Sequence, residues 1–89
     1  MNTAFKSSFV KDLRSIKSKR VLKAVAQLIE TVEKADNLKA IPDLKKLKAA
    51  KGNYYRVRLG DHRVGLTVGK GRITFVRCLD RKEIYRYFP

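Results

Sequence analysis

Three arginines fall close together at Arg56, Arg58 and Arg63. The runs Tyr54 to Leu59 and His62 to Val68 alternate apolar and polar residues with period two, the pattern of half-buried strands. Gly60-Asp61 between them reads as a two-residue turn. Folding the runs on that turn puts Tyr54, Arg56, Arg58 and Arg63 on one face. Tyr55, Val57, Val64 and Leu66 take the other. Neighbouring side chains on one face sit roughly 5 Å apart, and like charges that close repel unless an anion bridges them. A phosphate chain is the natural bridge, because guanidinium forks grip phosphate bidentately. The plainer alternative is a solvated polar face. Three clustered arginines with few acids nearby weigh against it.

Other residues extend or compete with this cluster. Arg77 stands in an apolar run and by alternation shares a face with Ile73 and Phe75. A charge there needs a partner: either it pairs with Asp80 or an open face, or it serves an anion. Tyr85 lies one helical turn beyond Arg81, where a tyrosine can stack on a base or move a proton beside cations. Filling a core is the competing use. Tyr54 can stack from the arginine face, or simply pack in the hairpin. Lys48 and Lys51 complete the RNA-binding candidates, with Arg77 and Tyr54. His62 is the only histidine. It has acid-base chemistry, but alternation turns it toward the core side, where a structural role is the stronger reading.

One histidine, one cysteine (Cys78) and scattered carboxylates form no ligand cluster, so no metal site is expected. There is no phosphate-loop, dinucleotide or zinc motif, and no cofactor is expected. RNA cleavage needs none of these. RNA brings its own nucleophile, the 2′-hydroxyl. A protein need only orient it, stabilise the pentavalent phosphorane and shuttle protons.

The positioning elements follow from spacing. Phe9, Leu13 and Ile16 lie on one helix face, with Ser7 or Ser8 available as the cap. Val21, Val25, Leu28 and Val32 stripe a second helix from about Lys19 to Ala35. The two form a helical hairpin. Met1 to Lys6 is either a first strand or a frayed start. The lysine-rich stretch from Lys45 to Lys51 is either a strand or a helical turn. Arg72 to Leu79, apolar on both faces, reads as a central strand. Ile84, Tyr85 and Phe88 have helical spacing. The expected fold is α+β in one domain, residues 1–89. A helical hairpin packs on a small antiparallel sheet of three or four strands, and a short helix ends the chain.

Charge is the extreme global feature: 22 Lys plus Arg against 8 Asp plus Glu, a formal +14. Such a chain attracts polyanions. No run approaches the roughly 18 apolar residues of a membrane span, and no signal-peptide plan opens the sequence. The lone cysteine argues against a disulfide framework. A cytoplasmic protein with a nucleic-acid or acidic-protein partner, and no membrane partner, is the simplest reading.

The run Tyr55-Arg56-Val57-Arg58-Leu59-Gly60-Asp61-His62-Arg63-Val64 resembles the heart of RelE/ParE-type toxins. There an aromatic-basic-x-basic strand runs through Gly-Asp-aromatic-Arg into the next strand. Leu44-Lys45-Lys46-Leu47-Lys48, Arg81-Lys82-Glu83-Ile84-Tyr85 and Phe9-Val10-Lys11-Asp12-Leu13 resemble flanking family segments in consistent order. The resemblance implies an α+β toxin of a type II toxin-antitoxin system, held by a cognate acidic antitoxin. It also implies an endoribonuclease that cleaves mRNA in the ribosomal A site, with mRNA and ribosomal RNA as partners. By that resemblance the catalytic set is Arg56, Arg58, Arg63, Arg81 and Tyr85, with Arg77 a rival to Arg81. Arg63 and Arg81 (or Arg77) stabilise the scissile phosphate, Arg56 or Arg58 adds charge, and Tyr85 orients the 2′-hydroxyl or stacks the base. Arginines at 56 and 58 stand where RelE-type members have lysines. Arginine is effectively never deprotonated, which leaves Tyr85, Glu83 and His62 as candidate bases. ParE-like members share much of the pattern, so a DNA gyrase inhibitor without nuclease activity is the alternative. A toxin surviving only as a complex component, or a plain nucleic-acid binder, is a third.

Overall fold

Branched and aromatic residues in alternation build a sheet, and apolar stripes at helical spacing cover one side of it. The computed structural model describes residues 1–48 and 52–89. Strand β1 (Asn2–Phe5) leads into helices α1 (Ser7–Ser15) and α2 (Lys19–Lys34). A 3-10 turn at Leu38–Ala40 precedes β2 (Leu44–Lys46), β3 (Tyr54–Leu59), β4 (His62–Gly69), β5 (Arg72–Asp80) and the short helix α3 (Ile84–Tyr87). The strands lie in the order β1-β5-β4-β3-β2.

The sheet is larger than expected and not purely antiparallel. Five strands replace the expected three or four, and β1 joins β5 in parallel, Asn2 facing Arg72 and Phe5 facing Phe75. Leu44–Lys46 forms the opposite edge against β3. Strands of three or four residues carry too little alternation to be read locally. They exist because a long neighbour offers free backbone groups, and buried amides and carbonyls must be paired. The continuous apolarity of β5 does mark a strand flanked on both sides, by β1 and β4.

Both long helices pack on the same side, α1 against β5 and α2 against β1 and β3. Phe9 of α1 and Val25, Leu28 and Val32 of α2 meet Val57, Val64, Leu66, Ile73, Phe75 and Cys78 in one core. Ser18 caps α2, its hydroxyl accepting from the Val21 amide at 3.3 Å. The N-terminal ammonium of Met1 donates to the carbonyls of Val32, Glu33 and Ala35 at 3.3, 2.9 and 2.9 Å. That places a cation at the negative end of the α2 dipole and ties β1 to the helix. Neither Ser7 nor Ser8 caps α1. Lys6 occupies that position without a side-chain bond, because its amide still belongs to the sheet, donating to the Phe75 carbonyl at 2.9 Å. Among the described residues no helix is long and apolar enough to cross a membrane.

Candidate functional site

The ladder of β3, β4 and β5 lays out the second face of the sheet in rows. Arg56, Gly65 and Arg77 form one row, and Arg58, Arg63 and Leu79 form the next. Arg58 and Arg63 are direct cross-strand partners, as the hairpin reading required.

Arg77 reaches this face through a bulge. Strict alternation would place it with Ile73 and Phe75 in the core. The register slips between Gly65 and Leu66, so Gly65 faces Arg77 while Leu66 faces Phe75. Val76 is therefore the extra residue, and the alternation of β5 inverts after it. Cys78 takes the core position and is 1% exposed. Burial, aided by the Asp12 charge, pushes its thiol up to about 12.

The partner of Arg77 is Asp12, not Asp80. Arg77 Nε and Nη2 donate to Asp12 Oδ2 and Oδ1 at 2.8 and 3.0 Å. Asp12 Oδ2 also accepts from the Cys78 amide at 2.9 Å. The β1 ladder ends at Phe75, and beyond it α1 lies along β5. The carboxylate thus takes the place of a missing strand. Ser8 does the same job one step earlier, its hydroxyl donating to the Val76 carbonyl at 2.6 Å. The hydrogen bond to Asp12 holds the Arg77 pKa above its ordinary value, against the opposing effect of burial. The guanidinium also lies over the Tyr87 ring, 5.2 Å from its centre. Arg77 is therefore a cation already matched within the protein.

The remaining arginines are less matched. Arg63 is only 7% exposed, and its Nη1 donates to the Gly60 and His62 carbonyls at 2.6 and 2.9 Å. Those bonds fix the guanidinium against the hairpin turn. Its Nε and Nη2 have no acceptor among the described residues. Arg58, opposite, is exposed. Arg56 is partly buried, and its Nε is buried without a hydrogen-bond partner. None of the three joins an ion pair among the described residues.

The C-terminal segment closes over this face. Phe88 is 2% exposed and lies flat on Gly65. A Cβ at Gly65 would stand 2.6 Å from two ring atoms of Phe88, so only glycine admits this approach. Tyr54 meets the same ring edge-on at 5.7 Å between centres. Ile84 and Phe88 are buried outside the main core, forming a small second cluster. The Arg81 amide donates to the Asp61 carbonyl at 2.8 Å, which fastens the start of this segment to the β3–β4 turn beside Arg63. Arg81 and Tyr85 are both exposed. His62 lies opposite Leu59 and Asp80 at the end of the sheet, in phase with the core residues. Lys48 is exposed in the turn after β2. Lys51 lies outside the described residues.

The fold thus brings together Tyr54, Arg56, Arg58 and Arg63 and sets Arg81 beside them. Lys48 follows Leu47, whose amide donates to the Tyr54 carbonyl at 2.9 Å at the start of β3, while His62 takes the core phase and Arg77 is committed to Asp12. Sequence reasoning missed Asp12 and Gly65. Asp12 stands three residues after Phe9, on the inward side of α1. An acid on an apolar stripe was the available signal. Nothing local announced its partner 65 residues away.

The family whose description is "ParE toxin of type II toxin-antitoxin system, parDE" matches residues 4–85. The chain belongs to the RelE/ParE family of type II toxins. The toxin is 39% identical over 90 residues to Toxin RelE3 of Methanocaldococcus jannaschii, covering the whole of both chains. It is similar to a chain in the crystal structure of the RelB-RelE antitoxin-toxin complex from Methanococcus jannaschii, with a TM-score of 0.82 and 38% identity over 97% of this chain and 99% of that one. The YoeB dimer from Staphylococcus aureus shares the fold, with a TM-score of 0.72 and 24% identity over 89% of this chain and 94% of that one. The toxin family and α+β architecture expected from the motifs therefore hold.

Proposed function

We infer that this toxin is a metal-independent endoribonuclease that cleaves mRNA in the ribosomal A site. The observation that carries the reading is the second sheet face. Arg56, Arg58 and Arg63 share it with no acidic side chain opposite them in the ladder. A cation cluster without internal counter-charge suits a substrate whose charge grows in the transition state.

The roles divide by environment. Arg63, pinned by the turn carbonyls, is a preorganised cation with two nitrogens left for the scissile phosphate. Arg81, fastened to the same turn, joins it. Arg58 and Arg56 add charge along the RNA backbone. Tyr54 and Lys48 contact the flanking RNA. Tyr85, exposed at the start of α3, orients the 2′-hydroxyl and moves its proton. His62 faces the wrong side for that, and Glu83 stands 3.9 Å from Arg86 in an ion pair. The 2′-oxygen attacks phosphorus and the bond to the 5′-oxygen breaks, leaving a 2′,3′-cyclic phosphate and a 5′-hydroxyl. This chemistry takes its nucleophile from the substrate and its charge stabilisation from side chains.

Purified toxin added to a translating extract should produce new mRNA ends at A-site codons, read by primer extension. Arg63→Ala and Arg81→Ala should each lower cleavage by about 10²- to 10³-fold, as loss of one transition-state cation does. Intact mRNA, with inhibition of gyrase supercoiling instead, would sink the reading.

The same charge predicts an acidic regulator, a cognate antitoxin; an antitoxin is the partner in the RelB-RelE complex named above. An acidic segment laid on a +14 surface binds through complementary charge. Affinity should fall steadily from low to high ionic strength in calorimetry; a salt-independent affinity would contradict it.

A further inference from the structure

A second charged surface lies on the helical layer. Where α1 turns into α2, Lys11, Arg14, Lys17, Lys19, Arg20 and Lys23 are all exposed. The only acid in that stretch is Asp12, which is buried and bonded to Arg77. None of the six cations enters an ion pair among the described residues. Both helices pack their other sides on the core face of the sheet, so this elbow belongs to the helical layer and not to the sheet face that carries Arg56 and Arg63.

Arg14, in the last turn of α1, suits the helix dipole there, but the charges of α2 bring the fold no such gain. Lys19 and Arg20 stand in the first turn of α2, which contains no acid, at the positive end of the helix dipole. Lys19 and Lys23 are four residues apart on one helix, a repulsive spacing. The acids of α2, Glu30 and Glu33, sit in its last turns. An anion bound outside the protein would relieve what the fold leaves unrelieved.

We propose that the α1–α2 elbow is a docking surface for the phosphate backbone of double-helical RNA, separate from the face that cuts. The choice of RNA over DNA rests on the ribonuclease reading; the docking itself does not require cleavage. Two features favour a nucleic-acid backbone over an acidic protein. Among the described residues the exposed large apolar ones are Phe5, Val10, Tyr85 and Tyr87; only Val10, one helical turn from Arg14, borders this patch, and none lies at its centre. A protein interface needs apolar or aromatic anchors at its centre, whereas a backbone needs only cations. The same lack of aromatic rings leaves no platform for unstacked bases, which single-stranded RNA would use.

The test is fluorescence anisotropy on a labelled RNA hairpin with a fully paired stem, across a salt series. The elbow variant K17Q/R20Q/K23Q is compared with K39Q/K70Q/R72Q, which removes the same charge from exposed positions elsewhere. The elbow variant should bind at least about tenfold more weakly at 100 mM salt, with its log–log salt slope shallower by about 2 to 3. The control should stay within about twofold of wild type, and circular dichroism should be unchanged in both. The assay contains no ribosome and reads binding alone, so its outcome is separate from that of the cleavage assay. Equal losses in the two triple variants would reduce the elbow to net charge and overturn the proposal. So would an absence of hairpin binding by wild type, tighter binding to a matched DNA hairpin, or tighter elbow-dependent binding to a polyglutamate peptide.

Discussion

On one face of the sheet, Val57, Val64, Leu66, Ile73 and Phe75 lie at or below 1% exposure beneath two helices. On the other, arginines of neighbouring strands face one another, and a four-residue helix with Phe88 supplies what apolar cover there is. Both faces come from the same three strands. The first face puts each residue where burial favours it. The second holds like charges side by side and leaves the Arg56 Nε without a partner. Proteins accept such local costs where a ligand will compensate. Stability and function are therefore expected to separate by face: substitutions on the first unfold the protein, and substitutions of the arginines disarm it.

The largest expected effect lies on the core face. Phe75→Ala should cost about 3–5 kcal/mol in urea unfolding, since the ring is fully buried, stacks on Phe5 and meets Phe9 at a tilt. Phe88→Ala should cost less, because its cluster is smaller. Equal costs would mean that the two faces fold as one unit. Next comes the link between them. Asp12→Ala leaves Arg77 without its carboxylate and the Cys78 amide without an acceptor, so a loss of about 3 kcal/mol is expected. Asp12→Asn can still accept from that amide and should be milder. If the two substitutions cost the same, the ion pair and not the edge cap carries the energy.

Gly65→Ala should cost about 1–3 kcal/mol by overpacking and should loosen the C-terminal segment. Hydrogen exchange at Ile84 to Phe88 would read this directly. Unchanged protection there would disprove the close approach of Phe88. A smaller effect concerns pH. Cys78 is raised from 9.0 to about 12 in the folded state. Between those values the folded chain keeps a proton that the unfolded chain loses, so its contribution to stability falls as pH rises. By pH 10 about 1.4 kcal/mol of the wild-type advantage over Cys78→Ala should be gone. A pH-independent difference would mean the thiol is less enclosed than the core suggests. Smallest of all, Arg58→Ala should leave stability within about 0.5 kcal/mol of wild type, or raise it by removing a like-charge neighbour, while cleavage falls.

Much of this molecule was legible one segment at a time. The stripes Phe9-Leu13-Ile16 and Val25-Leu28-Val32 identified the helices, because a helix shows its buried face at fixed spacing. Period-two alternation around Gly60-Asp61 identified the hairpin and paired Arg58 with Arg63, because a two-residue turn leaves one register. The toxin family was readable for the same reason, since its motifs lie on these regular elements.

What escaped depended on contacts between distant segments. The parallel edge at Asn2–Phe5 exists only because β5 offers it a ladder. The face of Arg77 depended on a bulge at Val76, and a bulge is a property of two strands in register, invisible in either alone. Asp12 found its partners across 65 residues, and Phe88 found Gly65 only once the chain end folded back. Local pattern determined the elements and the charge they display. Long-range packing decided which of those charges are matched within the protein and which are left without an internal partner.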